Sequence, residues 1–387
     1  MIRFCTALCL AYLLSVNAHA INIQGDGPTY PRQKGSSQSD PFAGLEHLFS
    51  EPKHYVTYFA EQAPDIDGNL DEEVWQQALW TDLFVDIEGD KKPKPAYPTQ
   101  VKMAWDNEYL YIAAELKEPH VWATLTNHDE VIFFDNDFEV FIDPDNDTHQ
   151  YFEVEVNALN TIFDLFLTKP YRNNSGALIA WDLHGLKSAV QVQGTLNNPG
   201  DTDKGWTVEM AIPFRSVTVG NNALVPDEGT LWRINFSRVQ WDVDIVDGKY
   251  VKRKGADGKP LPEHNWVWSP QGVINMHYPE RWGYLYFSRK PTSESTVTFA
   301  MPYAEKQKQY LWLIYYRQKE HFNKYGKYSK SLKELGLKGS KVTVEGQENQ
   351  LSLEAGTLQF LAAIQGPDGK VWSINENGFV HTIKGLK

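Results

Sequence analysis

The sequence predicts a mainly β protein, an antiparallel two-sheet β-sandwich followed by a small C-terminal α+β unit. Three observations predict it. Apolar and polar residues alternate at period two in short runs separated by turn residues, as half-buried strands require. Helix-length apolar stripes are missing between His54 and Arg289. Beyond Pro302 the apolar period changes to that of a helix.

The elements follow in chain order. Met1 to Ala20 reads as a secretory signal peptide: Arg3 supplies the positive end, Phe4 to Val16 is apolar, and Ala18-His19-Ala20 has the small-x-small form of a cleavage site. The apolar stretch is too short to span a bilayer as a permanent helix. Residues 21–50, rich in Gly, Pro, Ser and Gln, read as a linker or a loosely docked arm. The sandwich is placed at 51–290 and the accessory unit at 301–387. Within the sandwich, Leu70 to Ala78 reads as one helical turn. Val101, Met103 and Trp105 share a parity, Asp106-Asn107-Glu108 turns the chain, and Leu110, Ile112, Ala114 and Leu116 alternate back. Phe138, Val140 and Ile142 share one face, with Asp137 and Glu139 opposite. Phe152, Val154 and Val156 do the same, with Glu153 and Glu155 opposite. Ile162 to Leu167, Gly205 to Ile212 and Leu231 to Val239 add three more strands. In the last unit, Leu311, Ile314, Tyr315, Gln318 and Phe322 line up along one long helix ended by Gly326. Three or four short strands follow, with a hairpin turn at Gly366 to Gly369.

Composition narrows the function classes. With 37 Lys+Arg against 50 Asp+Glu, the formal charge is −13. That excess argues against nucleic acid and against an anionic membrane surface. Both cysteines, Cys5 and Cys9, fall inside the leader, so the mature chain is neither a disulfide scaffold nor a thiol enzyme. No Gly-x-Ser-x-Gly elbow is present, and His120, His128, His149, His184, His264 and His277 are scattered without zinc spacing.

Two constellations carry chemistry. Strand parity gathers Asp137, Glu139, Glu153 and Glu155 on one sheet surface, with Asp164 expected close by. Carboxylates accept hydrogen bonds from sugar hydroxyls, and aromatic rings give a platform for a pyranose face. The bland alternative is a solvated outer face. Clustering speaks for a ligand, because like charges opposite one another repel. The second constellation is Asp143-Pro144-Asp145-Asn146-Asp147, whose Asp143, Asp145 and Asp147 can ligate Ca²⁺; it is not an EF-hand loop, and spacing alone fits an ordinary acidic turn. Among the tryptophans, Trp241, Trp266 and Trp268 lie near loops and are expected to be the exposed ones.

Six motifs in order resemble one family. They are Asp65-Ile66-Asp67-Gly68-Asn69-Leu70-Asp71-Glu72 with Trp75, then Trp105 to Ile112, then Asp137 to Pro144. Tyr151-Phe152-Glu153 to Asn157, Gly205-Trp206-Thr207-Val208-Glu209 to Pro213, and Trp268-Ser269-Pro270 to Trp282-Gly283 complete the series. Over roughly Val56 to Ser288 the chain resembles family 9 carbohydrate-binding modules. The resemblance implies a β-sandwich of jelly-roll or DOMON-like type, a non-catalytic sugar-binding role beside glycoside hydrolases, and structural calcium, which favours Asp143, Asp145 and Asp147 as its ligands. It also implies departures. The family's first sandwiching tryptophan is replaced by Phe133 and the second by Met276 or His277. Its strand arginine is replaced by Glu155, while Glu139 is kept.

The expectation is therefore an exported carbohydrate-binding protein, secreted or periplasmic, that supports polysaccharide breakdown. Its ligand-binding residues would be Phe133, Asp137, Glu139, Glu153, Glu155, Met276 and His277. Calcium is the expected ion, no organic cofactor is implied, and the C-terminal unit offers itself to a protein partner. Two alternatives stay open. One is a glycoside hydrolase using a carboxylate pair; the other is a surface scaffold that has lost sugar binding.

Overall fold

The computed structural model describes residues 40–219, 225–294 and 296–384. The leader, and the arm up to Ser39, lie outside the described residues.

Strand β1 (His54–Phe59) is followed by the helical turn α1 (Glu73–Gln77), by the short β2 (Val85–Asp86) and by β3 (Thr99–Trp105). The hairpin to β4 (Tyr109–Lys117) is closed by Asp106, whose Oδ1 accepts the N–H groups of Glu108 and Tyr109. An antiparallel meander comes next: β5 (Asp137–Asp143), β6 (Tyr151–Asn157), β7 (Ile162–Leu167) and β8 (Ala177–Leu178). Then β9 (Lys187–Gln193) pairs with β10 (Gly205–Pro213), which pairs with β4. The sandwich ends with β11 (Leu231–Gln240), the ribbon β12 (Val243–Val246) and β13 (Lys249–Lys252), β14 (His264–Val267) and β15 (Gly283–Pro291).

Hydrogen bonding runs continuously through one sheet in the order β8-β7-β6-β5-β11-β15-β1-β3-β4-β10-β9. This sheet curls so that its two halves face each other. The hinge is β11: Leu231 to Ile234 pair with β15, and Ser237 to Gln240 pair with β14. Both halves turn their alternate apolar residues inward, and Met103, Trp105, Ile112, Phe138, Val140, Val154, Trp206, Met210, Ile234 and Phe287 join one buried cluster. Burial of each such side chain is worth about 1.5–3 kcal/mol. The sandwich is not antiparallel throughout. β1 lies parallel to both of its neighbours, β15 and β3.

The Asp65 to Glu72 motif has a local cause. Gly68 sits at φ +92°, and a Cβ there would meet Gln191 N at 2.8 Å, so only glycine lets the turn pass over β9. Glu209 of β10 holds this turn from below. Its Oε2 accepts the N–H groups of Asp67 and Gly68, and its Oε1 accepts Trp75 Nε1–H at 2.6 Å.

Helix α2 (Tyr303–Tyr325) and a meander of five strands form the C-terminal unit, one strand beyond the three or four expected. The strands are β16 (Lys341–Val344), β17 (Gln347–Ala355), β18 (Phe360–Gln365), β19 (Val371–Asn375) and β20 (Val380–Ile383), paired in sequence order. Leu311, Ile314 and Tyr315 of α2 pack with Leu351, Ala362, Ile364 and Ile374 of the sheet. Leu45 and Leu48 join the same cluster. Residues 41–387 form one compact unit. Among the described residues no helix is long and apolar enough to cross a membrane.

Candidate functional site

Strand parity places Asp137, Glu139, Glu153 and Glu155 on one face, and the register makes neighbours of Glu139 and Glu155. Asp164 does not join them. It pairs with Val154 and so points to the opposite, core-facing side of β7.

The acid-bearing face is not open to solvent. Phe141, Tyr151, Phe163, Leu165 and Leu167 share it, and they pack with Ile132, Met276 and Trp282 from the segments that cross above. Asp137, Glu139, Glu153 and Glu155 are consequently 0–5% exposed. The physical reason is the company the carboxylates keep: five large apolar side chains on one face demand cover, and the cover takes the acids with it.

Burial sets their electrostatics. One oxygen each of Asp137, Glu139 and Glu155 lies within 4.8 Å of the others. Desolvation pushes Glu139 up to about 7. It also raises Asp137, Glu153 and Glu155 well above the ordinary carboxylate range, reinforced in each case by the charge of Glu139. Like charges this close in a dry setting do not all ionise, so the cluster retains protons at neutral pH. It therefore offers both donors and acceptors. Asp137 Oδ1 accepts the Val239 N–H at 3.0 Å, while Asp137 Oδ2 and Glu153 Oε2 have no hydrogen-bond partner among the described residues.

Phe133 stands at one end of this cluster. Its N–H donates to Glu155 Oε2 at 3.0 Å, and its ring lies 4.5 Å from that of Phe134, which is 38% exposed. Trp241 Nε1–H donates to Phe133 O at 2.8 Å, and the Lys252 ammonium sits 3.3 Å from the Trp241 ring centroid. Burial lowers Lys252 to about 8, against the pull of Asp135, Glu263 and Asp137. Phe134, Trp241 and Lys252 were not predicted as site residues, because the β12–β13 ribbon that brings Lys252 here leaves no pattern in the strands it covers. Met276 and His277 lie elsewhere on the face. Met276 is buried against Trp282, whose Nε1–H donates to its carbonyl. His277 Nδ1 lies 3.0 Å from Tyr151 Oη, and burial lowers its pKa to about 3, so the ring is neutral. Trp241, Trp266 and Trp268, expected to be exposed, are buried, at 8, 4 and 1%.

The Asp143 to Asp147 loop lies where the sandwich meets the C-terminal unit. Oxygens of Asp143, Asp145 and Asp147 lie within 4.8 Å of one another. Asp143 accepts the N–H groups of Asn146 and Thr148. Across the joint, Asn146 Nδ2 donates to Glu305 Oε1, Thr148 Oγ1 donates to the Gly378 carbonyl, and Val380 N–H donates to the Asp147 carbonyl. Three carboxylates on a short loop suit a hard cation.

Comparison with known proteins bears out the resemblance carried by the motifs. Residues 66–242 match the family model described as carbohydrate family 9 binding domain-like. Exoglucanase XynX of Acetivibrio thermocellus is 28% identical over 164 residues, which are 42% of this chain and 12% of that enzyme. Endo-1,4-beta-xylanase A of Thermoanaerobacterium saccharolyticum is 28% identical over 162 residues, 42% of this chain and 12% of that enzyme. The chain thus spans only a small part of the curated relatives it matches. Among solved structures, a family 9 carbohydrate binding module from Caldicellulosiruptor kristjanssonii in complex with cellotriose aligns at TM-score 0.40 and 16% identity, covering 64% of this chain and 100% of the module.

Proposed function

Since residues 66–242 are a carbohydrate family 9 binding-like segment, we propose that this protein binds carbohydrate without cleaving it. The observation that carries the reading is the meeting of a proton-sharing acid cluster with an aromatic edge. Glu139 and Glu155 lie beneath the cover, and Phe133, Phe134, Trp241 and Lys252 adjoin them at its edge. Neutral carboxyl groups donate to sugar oxygens, ionised ones accept from sugar hydroxyls, and the rings take the apolar face of a pyranose. Cleavage would call for two carboxyl groups about 5 to 9.5 Å apart, flanking a bond in a cleft. Here the four carboxyl groups lie 0–5% exposed on one covered sheet face, not on opposite walls of a cleft.

Calcium belongs to this reading as a brace. Asp143, Asp145 and Asp147 would hold it, and it would neutralise the loop that joins the sandwich to the C-terminal unit. The export reading rests on the leader, Met1 to Ala20. A second reading, a surface scaffold without a sugar ligand, draws on the cover over all four carboxylates and on the C-terminal unit fixed beside them.

Calorimetry with glucose, cello-oligosaccharides and xylo-oligosaccharides, read in parallel by Trp fluorescence, separates the two. Saturable binding is expected, weakened about tenfold by Phe133→Ala and by Glu139→Gln. No binding across a broad glycan array would favour the scaffold.

A further inference from the structure

We propose that His128, Asp129, Asp164 and Asp182 form a binding site for a divalent first-row transition-metal ion, away from the acid cluster and from the Asp143 loop. The four residues come from three separate segments, yet one ligand atom of each lies within 4.8 Å of the others. His128 Nε2 is 3.1 Å from Asp182 Oδ1 and 3.5 Å from both Asp129 Oδ1 and Asp164 Oδ1. A tetrahedron with metal–ligand bonds of about 2.0–2.1 Å has edges of about 3.3–3.4 Å, so the three edges from the imidazole already stand close to the separations that such an ion requires.

The buried member makes this more than a group of surface acids. Asp164 is 2% exposed and lies on the core-facing side of β7. Its Oδ2 accepts the Leu183 N–H, but its Oδ1 has no hydrogen-bond partner among the described residues and faces the imidazole. Asp129 Oδ1 is likewise without one. The buried Asp164 oxygen meets the imidazole only at 3.5 Å, a costly way to leave a carboxylate in a dry setting, and a bound cation would satisfy it together with Asp129 Oδ1. The loop is aimed here by its backbone, since Asp129 N–H donates to the Ile162 carbonyl and Asp129 adopts φ +65°.

The site also has an approach. His128, Asp164, Asp182 and His184 line a hollow of about 410 Å³, open to solvent. The donor set decides the class of ion. Calcium and magnesium take oxygen ligands, whereas an imidazole among carboxylates suits zinc, manganese or iron. Bound there, the ion would tie the loop at His128 to β7 and to the segment at Asp182.

The test is calorimetric titration of Zn²⁺ into the untagged full chain, with calcium in excess to occupy all-oxygen sites. One ion per chain is expected, with affinity falling at least tenfold in His128→Ala and in Asp164→Asn. His128 is half exposed, so its replacement leaves the core intact, and far-UV circular dichroism checks both variants. Co²⁺ provides a readout on the unaltered protein: an intense visible band of four- or five-coordinate cobalt is expected. Absence of Zn²⁺ binding, undiminished binding in both variants, one-for-one displacement by calcium, or only the weak absorption of octahedral cobalt would each overturn the proposal.

Discussion

Glu209 uses both carboxylate oxygens on three N–H groups, and it ties the Asp67-Gly68 turn to Trp75 near the start of the sandwich. The motif was legible in the sequence, but the residue that closes it lies far along the chain, on β10. Gly283 has a similar standing. A Cβ at that position would come within 2.3 Å of the Trp268 ring, so the tryptophan that opens the last motif fills the space left by the glycine that closes it. Gly283→Ala is accordingly expected to destabilise the fold by about 1–3 kcal/mol, the usual cost of overpacking, read as a lowered midpoint in urea denaturation. An unchanged midpoint would mean that Trp268 swings aside freely.

At the scale of elements, period-two alternation revealed which residues of β5 and β6 share a face. It did not reveal that the face is covered, because the covering residues Ile132, Met276 and Trp282 come from irregular segments whose path no periodicity encodes. The same limit hid Lys252 and left Trp241, Trp266 and Trp268, expected to be exposed, without the neighbours that bury them. Helix α2 is legible because its apolar line is local, whereas the place of Gln318 in that line depends on Ser329, beyond the helix end. Gln318 accepts the Ser329 N–H and donates to its carbonyl, both at 2.8 Å. The covered strands make a prediction about pH. Glu139 keeps its proton up to about 7 in the folded chain but loses it near 4.5 when unfolded. Between those values the native state binds more protons, so the contribution of Glu139 to stability is full below about pH 4.5 and declines as pH rises toward 7. Asp137, Glu153 and Glu155 are shifted in the same direction and deepen the decline. Glu139→Gln is expected to flatten the slope and raise stability at pH 8 by roughly 2 kcal/mol. Thermal melts from pH 4 to 8 measure it, and a slope identical to that of the parent would refute the assignment.

The whole molecule is held together by a polar joint. Arg233 Nη2 lies 3.1 Å from Glu305 Oε2, Lys308 Nζ lies 2.8 Å from Glu305 Oε1, and Tyr284 Oη–H donates to Glu305 Oε2 at 2.9 Å. Burial alone would raise the pKa of Glu305, but Lys308 and Arg233 outweigh it and hold the group below its ordinary value. Replacing one member strands the others without a counter-charge in a dry interface. Glu305→Ala is thus expected to cost about 3–5 kcal/mol and to loosen the C-terminal unit, measured as earlier proteolysis within residues 301–384. Cleavage kinetics equal to those of the parent would show that the joint does not depend on this network.

The parallel setting of β1 between β3 and β15 reaches beyond the finished structure. One of its two partners begins only at Gly283, so the first strand of the sandwich cannot be zipped in while the intervening chain is still emerging from the ribosome. Such long-range closure is slow, and meanwhile the edge of β1 stays available to any stray strand. A long-range parallel closure of this kind predicts slow refolding from denaturant, with β1 docking only once β15 is in place.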